Sequence, residues 1–266
     1  MSEHADLSHL PTSDLEVTLR ALEAGRLSPP LTLGKLAASG LTVDRAALVR
    51  ACRALPAAAI APVIAAVLAE RERRPPAVEL VWTGPEPSYA TARDTRRVLD
   101  HLFRAAQHQV LIAGFAFDHG ASLFQPLFDA IEQRGVACEL FFDVPGDQYH
   151  VHPDDEERVV SAYTRAFLDA NWPWSRRPRF FYDPRRFEPR VFASLHAKCV
   201  VVDDQLAFVT SANFTDRGQT RNTEVGVLLD APHLAGQLGA HFRRCADEGL
   251  YRLVPDRWLP PPTEPS

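Results

Sequence analysis

From residue 77 onward, short apolar runs alternate with stretches of helical period, and this alternation limits the possible folds more than any other feature of the chain. Residues 77–82, 109–116, 137–143, 179–182, 198–202, 205–210 and 223–229 read as strands. Residues 91–106, 123–134, 156–170 and 231–249 read as helices. Strands joined by helices form a sheet covered on both faces, so a run such as Cys199-Val200-Val201-Val202 is apolar throughout instead of alternating. The expectation is therefore an α/β fold, a mixed β-sheet flanked by helices on both faces, preceded by a small all-α N-terminal segment.

The N-terminal part is rich in Ala, Leu and Arg, with helical spacing in Leu15, Leu19 and Leu22 and again in Leu48, Cys52 and Leu55. Pro29-Pro30, Gly40 and Pro56 divide it into short helices. Thr42 and Asp44 are candidate caps for the helix that follows. Residues 32–50 also resemble a helix-turn-helix, although any two short amphipathic helices around a Gly share that pattern, and a helical cap or docking surface is the reading taken. Arg73-Arg74-Pro75-Pro76 marks the change of pattern. The expected organisation is a helical segment over 1–74, a sheet domain over 75–256 and a loose, proline-rich tail over 257–266.

Net charge, −5 from 29 Lys+Arg and 34 Asp+Glu, argues against a chain that coats nucleic acid by bulk charge, but leaves room for a local basic patch. Cys52, Cys138, Cys199 and Cys245 lie far apart with no C-x-x-C pair, which points to a reducing compartment. The first ten residues lack the pattern of a secretory signal. The longest uncharged run, 54–69, contains Pro56 and Pro62 and is shorter than the roughly 20 residues a bilayer requires. A cytoplasmic protein without stable membrane association is expected.

Candidate chemistry is concentrated in residues 194–230. His196 and Lys198 are two apart and share one face of an extended segment. Ser211 and Asn213 repeat the spacing after the next strand, and Asn222 and Glu224 repeat it again, so three polar pairs flank three strands expected to be buried. Lys198 and the Asn213 amide suit the non-bridging oxygens of a phosphoryl group. His196 can attack phosphorus when an acceptor holds its other ring nitrogen, and Glu224 is a suitable holder. No His/Asp/Glu set at metal-ligand spacing accompanies them, so a reaction without metal or other cofactor is expected. Only two lysines occur, Lys35 and Lys198, in a chain that otherwise uses Arg, which marks Lys198 as a place where a compact ammonium matters.

These residues resemble the signature of the phospholipase D superfamily, H-x-K-x-x-x-x-D, then G-S-x-N, then a downstream Glu, through His196, Lys198, Asp203, Ser211, Asn213 and Glu224. One departure is Thr210, where many members carry Gly. The resemblance implies a phosphohistidine on His196, phosphoryl oxygens bound by Lys198 and Asn213, a pocket supported by Ser211, and His196 oriented by Glu224. It also implies a structural part for Asp203. A second histidine is needed to protonate the leaving oxygen. The chain has one complete signature, and its nearest rival, His150-Val151-His152, lacks a lysine or Asn partner. Similarity to short single-signature nucleases therefore implies a homodimer with two His196 facing one another.

Ahead of the signature, Arg176, Arg177, Arg179, Arg185, Arg186 and Arg190 interleave with Phe180, Phe181, Tyr182 and Phe187. With only Asp183 and Glu188 opposing, this stretch suits a groove that tracks and stacks a single strand, DNA above all. Equally, the aromatics could belong to the core and the arginines to a solvated rim. The layout as a whole, with helical N-terminal segment, Val81-Trp82-Thr83-Gly84-Pro85 strand end and single C-terminal signature, is similar to the phospholipase D-like component of DISARM anti-phage defence systems. That similarity implies helicase-type and methylase partners. The competing readings are a phospholipid-cleaving or headgroup-transferring enzyme and a non-catalytic DNA-binding subunit.

Overall fold

Mostly apolar runs take the middle of the sheet, where most side chains on both faces are buried. In the computed structural model, which describes residues 7, 10–41, 43, 45–73, 76–85, 92–145, 153–188, 191 and 193–261, these are β3 (Gln109–Gly114), β5 (Ala137–Phe142) and β7 (Cys199–Val202). The remaining strands are β1 (Ala77–Thr83), β2 (Arg93–Asp94), β4 (Phe117–Asp118), β6 (Arg179–Tyr182), β8 (Leu206–Thr210), β9 (Phe214–Thr215), β10 (Glu224–Asp230) and β11 (Arg252–Leu253). Among the described residues, nine form one sheet in the order β11-β6-β5-β3-β7-β8-β10-β1-β2, and β4 pairs with β9 alone. The sheet is mixed: β3, β5 and β6 run parallel, whereas β7 is antiparallel to β3 and to β8.

Alternate residues of the central strands supply two cores, as the two-residue period requires. Val110, Ile112, Leu140, Phe142, Val200 and Val202 face α5 (Thr95–Ala105), α6 (Ala121–Arg134) and α7 (Glu156–Asn171), whose Phe103, Phe124 and Phe167 are buried against them. Leu111, Ala113, Phe141, Cys199, Val201 and Ala207 face α9 (Pro232–Asp247) through Ala235 and Phe242. Each Val, Leu, Ile or Phe among them contributes about 1.5–3 kcal/mol when fully buried. The remaining described α-helix of this part is α8 (Asp216–Thr220). Helix α5 begins where the Asp94 carboxylate accepts the Arg97 N–H at 2.9 Å, and α6 ends at Gly135 in the left-handed region (φ 70°).

Close backbone approach dictates Gly114. A Cβ there would meet the Phe117 ring at 2.2 Å and the Phe214 ring at 2.8 Å, rings that stack 5.3 Å apart at the end of β3.

The N-terminal helices α1 (Thr12–Glu23), α2 (Leu33–Ala38), α3 (Arg45–Cys52) and α4 (Ile60–Arg73) surround a separate core that includes Leu15, Leu36, Leu48 and Ile64. Gly236 lets α9 approach Pro11, whose Cα would lie 3.1 Å from an added Cβ, and Arg244 pairs with Asp14 at 3.7 Å. The candidate caps Thr42 and Asp44 lie outside the described residues. Among the described residues no single helix is long and apolar enough to cross a bilayer.

Two expectations need correction. Strands β8 and β10 are not dry on both faces: Val209 and Val225 are 40% and 49% exposed, because α9 packs on the other end of these strands, beside Ala207 and Leu229. The tail, expected to be loose from residue 257, is held through residue 261. Trp258 and Leu259 pack on the large core, and Arg177 donates to the carbonyls of Pro260 and Pro261.

Candidate active site

The site lies where β3 ends, β7 begins and the chain turns out of β8. Antiparallel pairing of β3 with β7 brings Gly114 and Cys199 to one edge of the sheet, so Phe115 beyond one and His196-Ala197-Lys198 before the other meet there. The segment ahead of β7 is fixed from below. Asp143, just past β5, is buried and accepts the Leu195 N–H at 2.8 Å. Burial raises the Asp143 pKa, against the opposing effects of that hydrogen bond, Arg186 and His196.

The exposed His196 ring packs against Phe115, with centroids 4.5 Å apart. Lys198 is 8% exposed, and its ammonium donates to the His196 carbonyl at 2.9 Å, lies 3.1 Å from each ring nitrogen of His196 and sits 4.9 Å over the Phe115 ring. Burial lowers the Lys198 pKa, and the negative charges of Glu224 and Asp143 oppose this. Asn213 belongs to the same edge. The Thr210 N–H donates to the Lys198 carbonyl at 3.0 Å, and the Phe214 N–H to the Ala116 carbonyl at 3.0 Å, so the turn carrying Asn213 is tied to both neighbours. Its Oδ1 is buried without a hydrogen-bond partner among the described residues, an acceptor awaiting a donor. Thr210, the departure from Gly, keeps its strand and turns its hydroxyl to accept the Ala212 N–H at 3.0 Å.

The structure places Glu224 and Ser211 differently from expectation. Glu224 makes no hydrogen bond to His196: its carboxylate accepts from Ser211 Oγ at 2.5 Å and from Asn222 Nδ2 at 3.0 Å. Ser211 is in turn bound by the Val225 N–H at 3.1 Å, so Ser211, Asn222 and Glu224 form a closed network beside the site and reach Lys198 through charge. The acceptor role expected of Glu224 is thus taken up by its own neighbours.

Asp203 is not in the site. It stands at the far end of β7, in the left-handed region (φ 53°), where its carboxylate accepts the N–H groups of Gln107, His108 and Gln109, each at 2.8 Å. Four strand residues separate it from Lys198, which puts the two ends of the signature on opposite edges of the sheet.

The arginine-aromatic stretch is mostly spent on the fold. Phe180, Phe181, Tyr182 and Phe187 are buried and cannot stack on bases. Arg176 pairs with Glu132 at 3.1 Å, Arg179 with Glu139 at 3.2 Å and Arg185 with Asp183 at 2.5 Å. Arg177 holds the tail, and Arg186 is buried on the Val144 carbonyl at 3.1 Å. Core aromatics with an engaged arginine rim is the arrangement present, and the stacking groove is not. Arg190 and the rival His150-Val151-His152 lie outside the described residues.

Two residues of the site escaped sequence reasoning. Asp143 carried a usable signal, a carboxylate closing an apolar strand at the edge where such sheets gather their sites. Phe115 carried none, since one more Phe after an apolar run reads as core.

A family model described as "Cardiolipin synthase, PLD-like domain" matches residues 99–246. The DISARM protein DrmC of Bacillus paralicheniformis is 24% identical over 152 residues, covering 57% of this chain and 56% of that protein. Cardiolipin synthase C of Escherichia coli is 35% identical over 66 residues, 25% of this chain and 14% of that protein. The matched stretch thus spans about half the length of the first relative and a small part of the second. Among solved structures, the phospholipase D family member Nuc from Salmonella typhimurium superposes with a TM-score of 0.45 at 19% identity, covering 68% of this chain and 99% of that one. With more than half of its residues matched by the family model, and with His196, Lys198 and Asn213 on one sheet edge, this chain belongs to the phospholipase D-like domain family.

Proposed function

We propose that the chain is a metal-independent phosphodiesterase that cleaves DNA through a phosphohistidine on His196, working in the cytoplasm in an anti-phage defence of the DISARM type with helicase-type and methylase partners. The observation that carries this reading is the Phe115-His196-Lys198 cluster: an exposed imidazole with an ammonium at 3.1 Å and an aromatic wall, on the edge that also carries Asn213. Without substrate the ammonium rests on the nearest acceptors, the imidazole and the His196 carbonyl. A phosphodiester draws it to a non-bridging oxygen and frees the ring. One ring nitrogen of His196 then forms a bond to phosphorus as the bond to the leaving oxygen breaks, and a general acid gives that oxygen a proton. Water attacks the phosphohistidine in the second step. Its oxygen bonds to phosphorus, its proton goes to the group that acted as acid, and the imidazole departs.

The acid is His196 of a second copy. Val78 and Leu80, 60% and 53% exposed, share the bare face with Val209 and Val225, next to Ser211 and Glu224. A second copy seated on this apolar strip would bring its histidine to the same edge. The DISARM relative supports the biological setting. The bare apolar face beside the site also favours a second reading, a lipid phosphodiester as substrate.

The test is cleavage of single- and double-stranded DNA and of anionic liposomes by the purified chain in EDTA, with His196→Ala as control and mass measured on the same sample. Cleavage of DNA by a dimer, lost in His196→Ala, is expected. Cleavage of liposomes alone selects the lipid reading, and full activity in His196→Ala overturns both.

A further inference from the structure

At the opposite edge of the sheet from His196, a groove of about 940 Å³ lies between α3 and the ends of α6, β5 and α9. Its walls carry Arg45, Arg50, Arg134, Arg179, Arg243 and Arg244. Three of these are neutralised: Arg243 by Asp204 and Glu139, each at 3.1 Å, Arg179 by Glu139 at 3.2 Å, and Arg244 by Asp14 at 3.7 Å. The other three are not. Arg45 and Arg50 are exposed on α3, with no carboxylate partner among the described residues. Arg134 gives its Nε and Nη2 to the carbonyls of Ala106 and Arg104 at 2.8 and 3.1 Å, which orients the guanidinium and leaves its charge intact. Against them stands one further lining carboxylate, Asp247. Three uncompensated guanidinium groups, two on one wall and one on the other, thus line one groove in a chain whose net charge is −5.

From this geometry we infer a second, non-catalytic anion site, which takes a ligand bearing at least two phosphates between Arg45 and Arg50 on one wall and Arg134 on the other. Guanidinium groups bind phosphate through paired N–H donors, and a phosphate between the walls relieves the repulsion among them. The volume fits within the roughly 300–1,000 Å³ of ordinary ligand sites. The shared chemistry is that of a nucleotide polyphosphate or of a short stretch of nucleic-acid backbone. Either would fasten the helical unit to the sheet, since α3 belongs to one and α6 to the other. The inference does not depend on the His196 chemistry.

The experiment uses the full chain carrying His196→Ala, so that no probe is consumed. ATP without metal and a labelled 12-residue oligothymidylate are titrated at low salt, against the same chain with Arg45→Ala and Arg50→Ala. The ligand's affinity should fall about tenfold, and for the strand the dependence of log affinity on log salt should flatten by about 1.4. Loss for ATP alone assigns a nucleotide, and loss for the strand assigns a nucleic-acid backbone. Should the double variant melt early, Arg134→Gln replaces it from the other wall. Unchanged affinities for both probes, or no binding of either, overturn the inference. Cleavage by the unsubstituted chain is read separately, so failure of the proposed catalysis is distinguishable from failure of this site.

Discussion

The two ends of β7 carry the two halves of one sequence signature, and they are built on opposite principles. At the His196 end, polar groups are left underused: an imidazole exposed to solvent and an ammonium resting on that imidazole. At the Asp203 end, polar groups are engaged: Asp203 accepts three N–H groups, and the buried Asp204 is bound by Gln109 and Arg243. Spare hydrogen-bonding capacity is what a substrate can use, whereas saturated capacity holds a fold. A residue can therefore belong to a signature without belonging to the site.

Substitutions at the two ends should separate activity from stability. His196→Ala is expected to abolish phosphodiester cleavage, by more than about 10³-fold, while moving the unfolding free energy by less than about 0.5 kcal/mol, because an exposed ring is removed. Arg243→Ala should do the reverse. It leaves Asp204 buried without its ion partner and should cost about 3–5 kcal/mol in denaturant unfolding, with cleavage per folded molecule retained. Asp203→Ala ranks next, at about 2–4 kcal/mol, from the loss of three charge-assisted hydrogen bonds and the strain of Ala at positive φ. If Asp203→Ala silences a stable protein, the division between the two ends is wrong.

Sequence reasoning read the strands well because burial on both faces leaves a nearly continuous apolar run, as in β3 and β7, and β5 breaks it only at Glu139. It placed His196, Lys198 and Asn213 on one edge because two-residue spacing next to a strand fixes direction. It erred on Glu224, since the competition of Ser211 and Asn222 for one carboxylate depends on the pairing of β8 with β10 and leaves no trace in spacing. The arginine-aromatic stretch misled for a related reason. Alternating Arg and Phe describes a nucleic-acid groove and a half-buried strand equally well, and only burial tells them apart.

The bare end of the sheet gives a smaller effect. Val225→Asp, on the exposed apolar strip, should turn a dimer into a monomer by light scattering, lower cleavage at dilute protein and leave the melting temperature of the monomer nearly unchanged. A monomer of full activity at every concentration would sink the idea that a second copy supplies the acid. Phe115→Leu keeps the apolar wall but loses the ring over the Lys198 ammonium, and should slow cleavage by about 3–10-fold.

The smallest expected effect is a shift in pH profile, and it tests whether the catalytic end is tuned by the strand beneath it. In the proposed reaction Lys198 binds phosphoryl oxygens only as an ammonium, and burial has already lowered its pKa from 10.5. The alkaline limb of the rate profile should therefore lie below the usual lysine range. Asp143, ionised under alkaline conditions, is one of two carboxylates holding that pKa up. Asp143→Asn keeps an acceptor for the Leu195 N–H and removes the charge, so the limb should move to lower pH with little change in rate on the plateau. Stability provides the cross-check. The Asp143 pKa is raised in the folded state, so its contribution is full below the unfolded carboxylate value and is lost as pH rises through the folded one. Asp143→Asn should flatten that decline. If the variant flattens the stability profile while the alkaline limb stays in place, Asp143 holds the backbone under His196 without tuning Lys198.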